Sequence, residues 1–193
     1  MIAALVLAGG TASRLGGGDK PLLPLGGATV LDVLLATLRP QATLIAISAN
    51  GDPARFARFG LPVLRDAPGH AGPLAGVAAG LLWAAENGAS ELLTVPGDTP
   101  FIPLDLAARL GTAPTWAASD GAIHQLVALW PTTAATRLAA WLADATDLRV
   151  KTFGTQLGMR TKNFADAPDP FFNINTQADL AAAQTRAATL PQR

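Results

Sequence analysis

The residues of this chain that could do chemistry lie in three glycine-rich loops, and the first loop is the most informative. It reads LAGGTASRLGGGDK over residues 7–20, at the end of an apolar run. Glycines let a backbone approach an anion closely and turn successive N–H groups towards it. Arg14 and Lys20 add two positive charges. We therefore predict a phosphate-binding loop here, in preference to an ordinary glycine-rich turn with a nearby lysine.

The two commonest phosphate-binding motifs do not describe this loop. The dinucleotide motif G-x-G-x-x-G is absent, because Gly9-Gly10 is followed by TASR. The P-loop ending G-K-[ST] is absent too, because Asp19 precedes Lys20 and Pro21 follows it. The sequence therefore predicts a third kind of phosphate loop.

The second loop reads VPGDTPF over residues 95–101 and follows an apolar run. It presents one carboxylate, Asp98, at the predicted end of a strand. Mg²⁺ prefers one or two protein carboxylates and completes its shell with water and substrate phosphates. An aspartate before Thr-Pro also initiates turns through its own side chain. Considered together with the first loop, Asp98 is predicted to bind a metal ion.

The third loop, LRDAPGHAGPLAG over residues 64–76, again follows a predicted strand and opens a predicted helix. Asp66 could reach a nucleotide base or ribose. Gly72 and Gly76 would let a ligand pack against the backbone near a helix N-terminus. The simpler alternative is a flexible loop with Pro73 at the first helical position, where proline is common.

Other catalytic chemistry has little support. The chain has two histidines, His70 and His124, and no cysteine. No Ser-His-Asp or metal-ligand spacing includes either histidine, so we assign them no catalytic role. The absence of cysteine excludes disulfides, thiolate nucleophiles and thiolate metal sites, and it is compatible with a reducing cytosol.

The elements that must position these loops alternate along the chain. Short apolar runs predict strands at 2–7, 44–48, 62–64, 92–95, 116–119 and 126–130. Between them, helical patterns occupy 30–38, 53–58, 74–87, 104–110 and 133–144, and a closing helix is predicted within 176–189, with Thr176 as its N-cap. Such alternation predicts a three-layer α/β fold with a mostly parallel sheet. In these sheets ligands bind beyond the carboxyl ends of the strands.

Composition narrows the class of protein. The chain has 193 residues, of which 50% are hydrophobic and 15% charged, and its formal net charge is zero. We expect one domain over 1–193 with a sizeable core. The balanced charge argues against nucleic acid and anionic membranes as partners. No secretory signal and no apolar stretch of spanning length is recognisable, so a cytoplasmic protein with a small-molecule partner is expected.

The three loops together resemble a known family. LAGG at 7–10, Arg14, the glycine pair at 16–17 and DK at 19–20 look like the signature of the nucleotidyltransferases with a Rossmann-like fold. With GPLAG at 72–76, PGDTPF at 96–101 and FFNINT at 171–176, the resemblance narrows to the molybdenum cofactor guanylyltransferases, the MobA family. It covers nearly the whole chain.

The resemblance implies roles for individual residues. The GTP-binding residues would be Leu7, Ala8 and Gly9 through their backbone, Lys20 at the phosphates, Asn50 and Asp66 at the guanosine, and Asp98 with Mg²⁺. Lys20, Asp98 and Arg14 would be catalytic. Asn173 and Asn175 would lie on the side of the second substrate.

Two residues depart from the family pattern. Gln125 and Gln177 stand where the family usually has proline, and both lie in the half expected to face the pterin.

The implied reaction is guanylyl transfer from GTP to molybdopterin or molybdenum cofactor, which a cofactor biosynthesis protein would hand over. The attacking phosphate is already ionised, so positioning and charge neutralisation suffice and no protein nucleophile is needed. Three alternatives stay open: a CTP-dependent enzyme for the same pterin, a sugar-phosphate nucleotidyltransferase, and a non-catalytic nucleotide-binding module. The fold alone does not separate them.

Overall fold

The computed structural model of the chain describes residues 1–9, 17–66, 70–144 and 146–189. Within them the strands are β1 (Ile2–Leu7), β2 (Pro24–Leu25), β3 (Ala28–Thr29), β4 (Leu44–Ser48), β5 (Val63–Leu64), β6 (Glu91–Pro96), β7 (Thr115–Ser119), β8 (Ala122–Pro131) and β9 (Arg160–Asn163). The α-helices are α1 (Val30–Leu38), α2 (Pro73–Glu86), α3 (Leu106–Leu110), α4 (Ala135–Asp144), α5 (Val150–Leu157) and α6 (Gln177–Thr189). Short 3-10 helices lie at Lys20–Leu22, Pro53–Phe59 and Thr132–Ala134.

A seven-stranded sheet in the order β5-β4-β1-β6-β8-β7-β9 forms the middle layer. Only β8 runs against its neighbours, β6 and β7; the other paired strands of this sheet are parallel. Leu7, the last residue of β1, pairs with Ser48 of β4 and with Pro96 of β6. The carboxyl ends of these three strands are therefore level, and the loops that follow them start side by side.

The alternating side chains of β1 bury two separate faces of the sheet. Ala4 and Val6 pack into a cluster with residues of α1 and α3. Ala3 and Leu5 point to the opposite face and pack with residues of α2, α4 and α5. This period-two alternation of apolar residues explains why β1 reads as a continuous apolar run. The result is the three-layer α/β architecture that the sequence predicts.

Most predicted elements are confirmed. The strands at 2–7 and 44–48 and the helix at 30–38 have the predicted bounds, and the strands at 62–64, 92–95 and 116–119 and the helix at 74–87 agree to about one residue. Thr176 caps the closing helix, since its hydroxyl accepts from the amide of Asp179 and the Asp179 carboxylate accepts from the amide of Thr176.

Other elements differ from the prediction in type or in bounds. The helical segment at 53–58 is a 3-10 helix that Pro53 opens and Gly60 ends in a left-handed conformation. The helix expected at 104–110 starts at Leu106, and the one at 133–144 is divided into a 3-10 turn and α4. The strand at 126–130 is longer, because β8 begins at Ala122. The β2–β3 hairpin, α5 and β9 were not predicted.

None of the helices in the described part of the chain is long and apolar enough to cross a membrane.

Candidate active site

A cavity of about 400 Å³ opens at the carboxyl ends of the central strands. Because β4, β1 and β6 end level, the loops after them share this opening. The predicted site residues that line the cavity are Leu7, Gly9, Lys20, Asn50, Asp66, Asp98 and Asn173. The fold thus brings together residues that the sequence places far apart.

Lys20 and Asp98 form the charged centre of the cavity. The Lys20 ammonium donates to Asp98 Oδ2 at 2.9 Å and also to Asn175 Oδ1. The two side chains of the ion pair are only 15% and 20% exposed. A partly buried pair of this kind is screened less by solvent than a surface pair. Lys20 opens a 3-10 helix with Pro21 in its first turn, and this helix fixes where the ammonium emerges.

The loop that carries Asp98 lies close against β1. The amide of Gly97 donates to the carbonyl of Leu7 at 2.9 Å. A Cβ on Gly97 would lie 2.6 Å from Pro21 Cγ and 3.2 Å from that carbonyl oxygen. Only glycine fits at position 97. The close approach of this loop to β1 places Asp98 beside Lys20.

The segment at 171–176 returns from the far end of the chain to the same loop. The amide of Ile174 donates to the carbonyl of Asp98 at 3.0 Å, and the hydroxyl of Thr99 donates to Asn173 Oδ1. The backbone of Asn175 is held in turn, since its N–H donates to the Asp179 carboxylate. Both asparagines predicted on the second-substrate side therefore contact the charged centre or its loop.

Asn50 and Asp66 form a reciprocal pair on the opposite side of the cavity. The Asn50 amide donates to Asp66 Oδ2 at 2.9 Å, and the backbone amide of Asp66 donates to Asn50 Oδ1 at 3.1 Å. The two residues follow the parallel neighbours β4 and β5. Their side chains are consequently held in one orientation before any ligand is bound.

The N-terminus of α2 borders the cavity through Gly72, Pro73 and Gly76. Gly72 has φ of 97°, a conformation that favours glycine, and Pro73 occupies the first turn. The positive end of the helix dipole therefore faces a site that already holds an ammonium. This arrangement suits a polyanionic ligand.

Gly76 is a point where the packing of α2 can be tested. A Cβ at this position would lie 2.5 Å from Ser48 Oγ and 3.1 Å from Leu7 Cδ2, and Leu7 lines the cavity. We expect Gly76→Ala to destabilise the protein by about 1–3 kcal/mol through overpacking, less a helix-propensity gain of about 1 kcal/mol. It should also weaken nucleotide binding. Thermal melting and calorimetric titration with GTP measure the two effects.

Gly80→Ala is the matched control, because a Cβ at Gly80 would lie 2.5 Å from Leu5 Cδ2, one turn further along α2 and away from the cavity lining. Gly80→Ala should destabilise without a comparable loss of GTP affinity. Equal losses of affinity in both variants would mean that the effect of Gly76→Ala is general.

The remaining sequence-predicted residues have different positions. Arg14 lies outside the described residues. Ala8 is buried, and its amide donates to the carbonyl of Ser48. His124 packs its ring 4.8 Å from that of Phe171, and burial lowers the pKa of His124, as expected for a structural histidine. Gln125 lines a second, more open cavity that shares Pro73 with the first.

Sequence reasoning missed two polar residues beside the site. Thr99 donates its hydroxyl to Asn173, and Arg55 forms an ion pair with Asp19. Thr99 lies within the PGDTPF motif and could have been included with Asp98. For Arg55 the only local signal is a charged residue in the helical segment after β4.

The level strand ends, the Lys20–Asp98 pair and the helix N-terminus are the features of a nucleotide-binding site in a three-layer α/β protein. The family model for the MobA-like NTP transferase domain matches residues 4–156. The chain belongs to this family, and within it to the molybdenum cofactor guanylyltransferases.

The second assignment rests on close relatives. A molybdenum cofactor guanylyltransferase from Acidiphilium cryptum is 57% identical to this chain, covering 94% of it and 93% of its own length. Another from Mesorhizobium japonicum is 48% identical, over 94% of each chain. The fold is similar to that of molybdopterin-guanine dinucleotide biosynthesis protein A from Archaeoglobus fulgidus, with a TM-score of 0.73 at 20% identity, covering 98% of this chain and 100% of that one.

Proposed function

We propose that the protein transfers GMP from GTP to molybdopterin or molybdenum cofactor and releases pyrophosphate. The observation that supports this most directly is the pairing of Lys20 with Asp98 inside a cavity whose other side is the Asn50–Asp66 pair. One side of the cavity suits phosphates and the other suits a nucleobase. The names of the close relatives state the same activity.

The base side favours guanine for a chemical reason. Among the described residues, hydrogen bonds to the Asp66 carboxylate engage only Oδ2, through Asn50. A carboxylate accepts well from two adjacent donors, and guanine offers its N1–H and its exocyclic amino group. Cytosine offers one amino donor next to an acceptor nitrogen. Asp66 therefore accounts for selection of GTP, and Leu7 and Gly9, which line the cavity, border the nucleotide through their backbone.

A divalent metal ion, which we take to be Mg²⁺, fits at Asp98. In the described part of the chain no group of three or more His, Cys, Asp or Glu residues could hold a metal ion. Asp98 is a single carboxylate next to an ammonium, and Mg²⁺ is commonly held by one or two carboxylates plus water and phosphate oxygens. When bound, the ion would neutralise charge on the triphosphate.

The chain's own residues supply positioning and charge. A phosphate oxygen of the acceptor forms the new bond to the α-phosphorus of GTP, and the bond from that phosphorus to the bridging oxygen of pyrophosphate breaks. Lys20 neutralises the phosphates, Asn175 orients the Lys20 ammonium, and Asn173 borders the acceptor. Arg14 would add a second positive charge. Because the attacking group is ionised, alignment contributes more than proton transfer.

Nucleotide preference tests the assignment of the base. In the presence of Mg²⁺, GTP at a hundred times its own dissociation constant should raise the melting temperature by roughly 5–10 °C. CTP at the same concentration should raise it less. Asp66→Asn should shrink the difference between the two nucleotides. Stronger stabilisation by CTP would place the protein among cytidylyltransferases instead.

A transfer assay tests the reaction itself. Pure protein, Mg²⁺ and a molybdopterin-loaded acceptor are incubated separately with GTP, CTP, ATP and UTP, and pyrophosphate release is followed. We expect release with GTP only. Release that needs a sugar phosphate in place of the pterin would contradict the proposal.

Three further parts of the proposal concern the whole protein. Residues 1–193 act as one domain, which is supported by the hydrogen bond from Lys20 to Asn175, 155 positions apart in the chain. A cofactor biosynthesis protein hands over the pterin. The reaction takes place in the cytoplasm, with which the absence of cysteine is compatible.

A further inference from the structure

We propose that Arg55 is a positioning residue that joins the base-binding and phosphate-binding halves of the site. This inference rests on the proposed function, since it assumes that Asn50 and Lys20 bind the two ends of one nucleotide. Arg55 itself is not among the residues lining the cavity.

The contacts of Arg55 reach both halves at once. Its Nη2 donates to the backbone carbonyl of Asn50 at 2.5 Å, and its Nη1 donates to the carbonyl of Asp52. Its Nε lies 2.8 Å from Asp19 Oδ2, and Asp19 immediately precedes Lys20. One planar guanidinium therefore donates hydrogen bonds to the backbone of the base-binding residue and forms an ion pair, without hydrogen-bond geometry at Nε, with the residue next to the phosphate-binding lysine.

The surroundings of Arg55 give these contacts weight. The side chains of Arg55 and Asp19 are 26% and 22% exposed. The guanidinium carbon lies 4.7 Å from the ring centroid of Phe56, which is fully buried. The fork of donors on arginine is rigid, and partly buried charge pairs are stronger than exposed ones. The contact with the Phe56 ring and the ion pair with Asp19 thus both restrict the position of the Arg55 guanidinium.

The phosphate half needs such an anchor. Gly17 and Gly18, just before Asp19, have φ of 95° and 85°. Adjacent glycines give this part of the backbone many accessible conformations, and fixing one of them when a ligand binds costs conformational entropy. The ion pair with Arg55 fixes Asp19 before the nucleotide arrives. It therefore sets the separation between Lys20 and the Asn50–Asp66 pair.

The same 3-10 helix contains a natural control, Arg58. Its Nη2 lies 2.6 Å from Asp32 Oδ2 and 2.9 Å from Thr29 Oγ1, and its guanidinium carbon lies 4.1 Å from the ring centroid of Phe59. Arg58 thus shares with Arg55 an aspartate partner and a phenylalanine ring, but donates to a hydroxyl where Arg55 donates to backbone carbonyls. Its partners cap the N-terminus of α1, however, and do not line the cavity.

Steady-state kinetics with GTP and CTP on the full chain test the inference. Arg55→Ala should lower kcat/KM for GTP by about ten- to a hundredfold, the range for a lost charge-assisted contact. It should also reduce the preference for GTP over CTP, because Asn50 loses its support. Asp19→Asn should also lower turnover, because it removes the ion pair beside Lys20, but it should reduce the preference for GTP less than Arg55→Ala does, because Arg55 keeps its hydrogen bonds to the carbonyls of Asn50 and Asp52. Arg55→Lys should recover part of the activity.

Arg58→Ala should leave both kinetic parameters close to wild type while reducing the melting temperature. Similar kinetic losses in the Arg58 and Arg55 variants, or an Arg55→Ala enzyme with wild-type kinetics, would overturn the inference. If Arg55→Ala does not fold, the inference is tested with Arg55→Lys and Asp19→Asn. The same two quantities, turnover with GTP and the preference for GTP over CTP, are then compared with wild type. Failure of the wild type to use GTP would instead refute the proposed function.

Discussion

Replacing Asp98 with asparagine is expected to abolish guanylyl transfer while leaving the fold intact. The amide is isosteric with the carboxylate but neutral, and it is a much weaker ligand for Mg²⁺. The loop should keep its place, because the backbone of Asp98 accepts from Ile174 and that of Gly97 donates to Leu7. Loss of several kcal/mol of charge stabilisation corresponds to a decrease of about 10³-fold or more in the rate of pyrophosphate release.

Asp105→Asn removes the same charge from a side chain that is 62% exposed and paired with Arg109 outside the cavity. This control should release pyrophosphate at the wild-type rate. Melting curves of both variants show whether each is folded. Unchanged release by Asp98→Asn would remove Asp98 from the mechanism.

The parts of the fold that the sequence predicts well are those with strong local signals. The strands β1 and β4 are apolar runs with turn residues at their ends, and α1 begins at a capping box formed by Thr29 and Asp32. These signals depend only on neighbours in sequence. Their bounds were accordingly predicted correctly.

The elements that were missed lack such signals. All residues of β9 are exposed, and it pairs with β7 through its backbone, so its polar sequence RTKN shows no apolar alternation. Helix α5 contains a glycine, Gly154, which disfavours a helix locally. That glycine is required because Trp116 of β7 packs against it. Tertiary packing thus decides both elements.

The residues of the candidate site also differ in whether the sequence alone could predict their position. Residues that directly follow predicted strands, such as Asn50 and Asp98, could be placed at one sheet edge from topology and resemblance. The contact between Lys20 and Asn175 spans 155 positions and depends on how the closing segment returns to β6. The role of Arg55 depends on a 3-10 helix that the sequence suggested only as helical. Long-range side-chain geometry therefore required the structure.

Replacing Lys20 with alanine is expected to separate an enzyme from a nucleotide-binding module. Losing one charge-assisted contact to phosphate should weaken GTP binding by roughly 1.5–3 kcal/mol, about ten- to a hundredfold in affinity. If Lys20 stabilises the transition state more than the ground state, turnover must fall by a larger factor than affinity. In a binding module only affinity would change.

The position of Lys20 explains why the larger loss is expected in turnover. Its ammonium is already held by Asp98 and Asn175, in a pair that is 15% and 20% exposed, so it is oriented before GTP arrives. A preorganised charge stabilises developing negative charge without further reorganisation. Calorimetric GTP affinity and single-turnover transfer should be compared in wild type, Lys20→Ala and Lys162→Ala, the last of which removes an exposed ammonium on β9. Equal losses of affinity and rate in Lys20→Ala would assign the lysine to ground-state binding alone. If the wild type binds GTP tightly but transfers nothing to a loaded acceptor, the protein is a non-catalytic nucleotide-binding module and the proposed reaction is refuted.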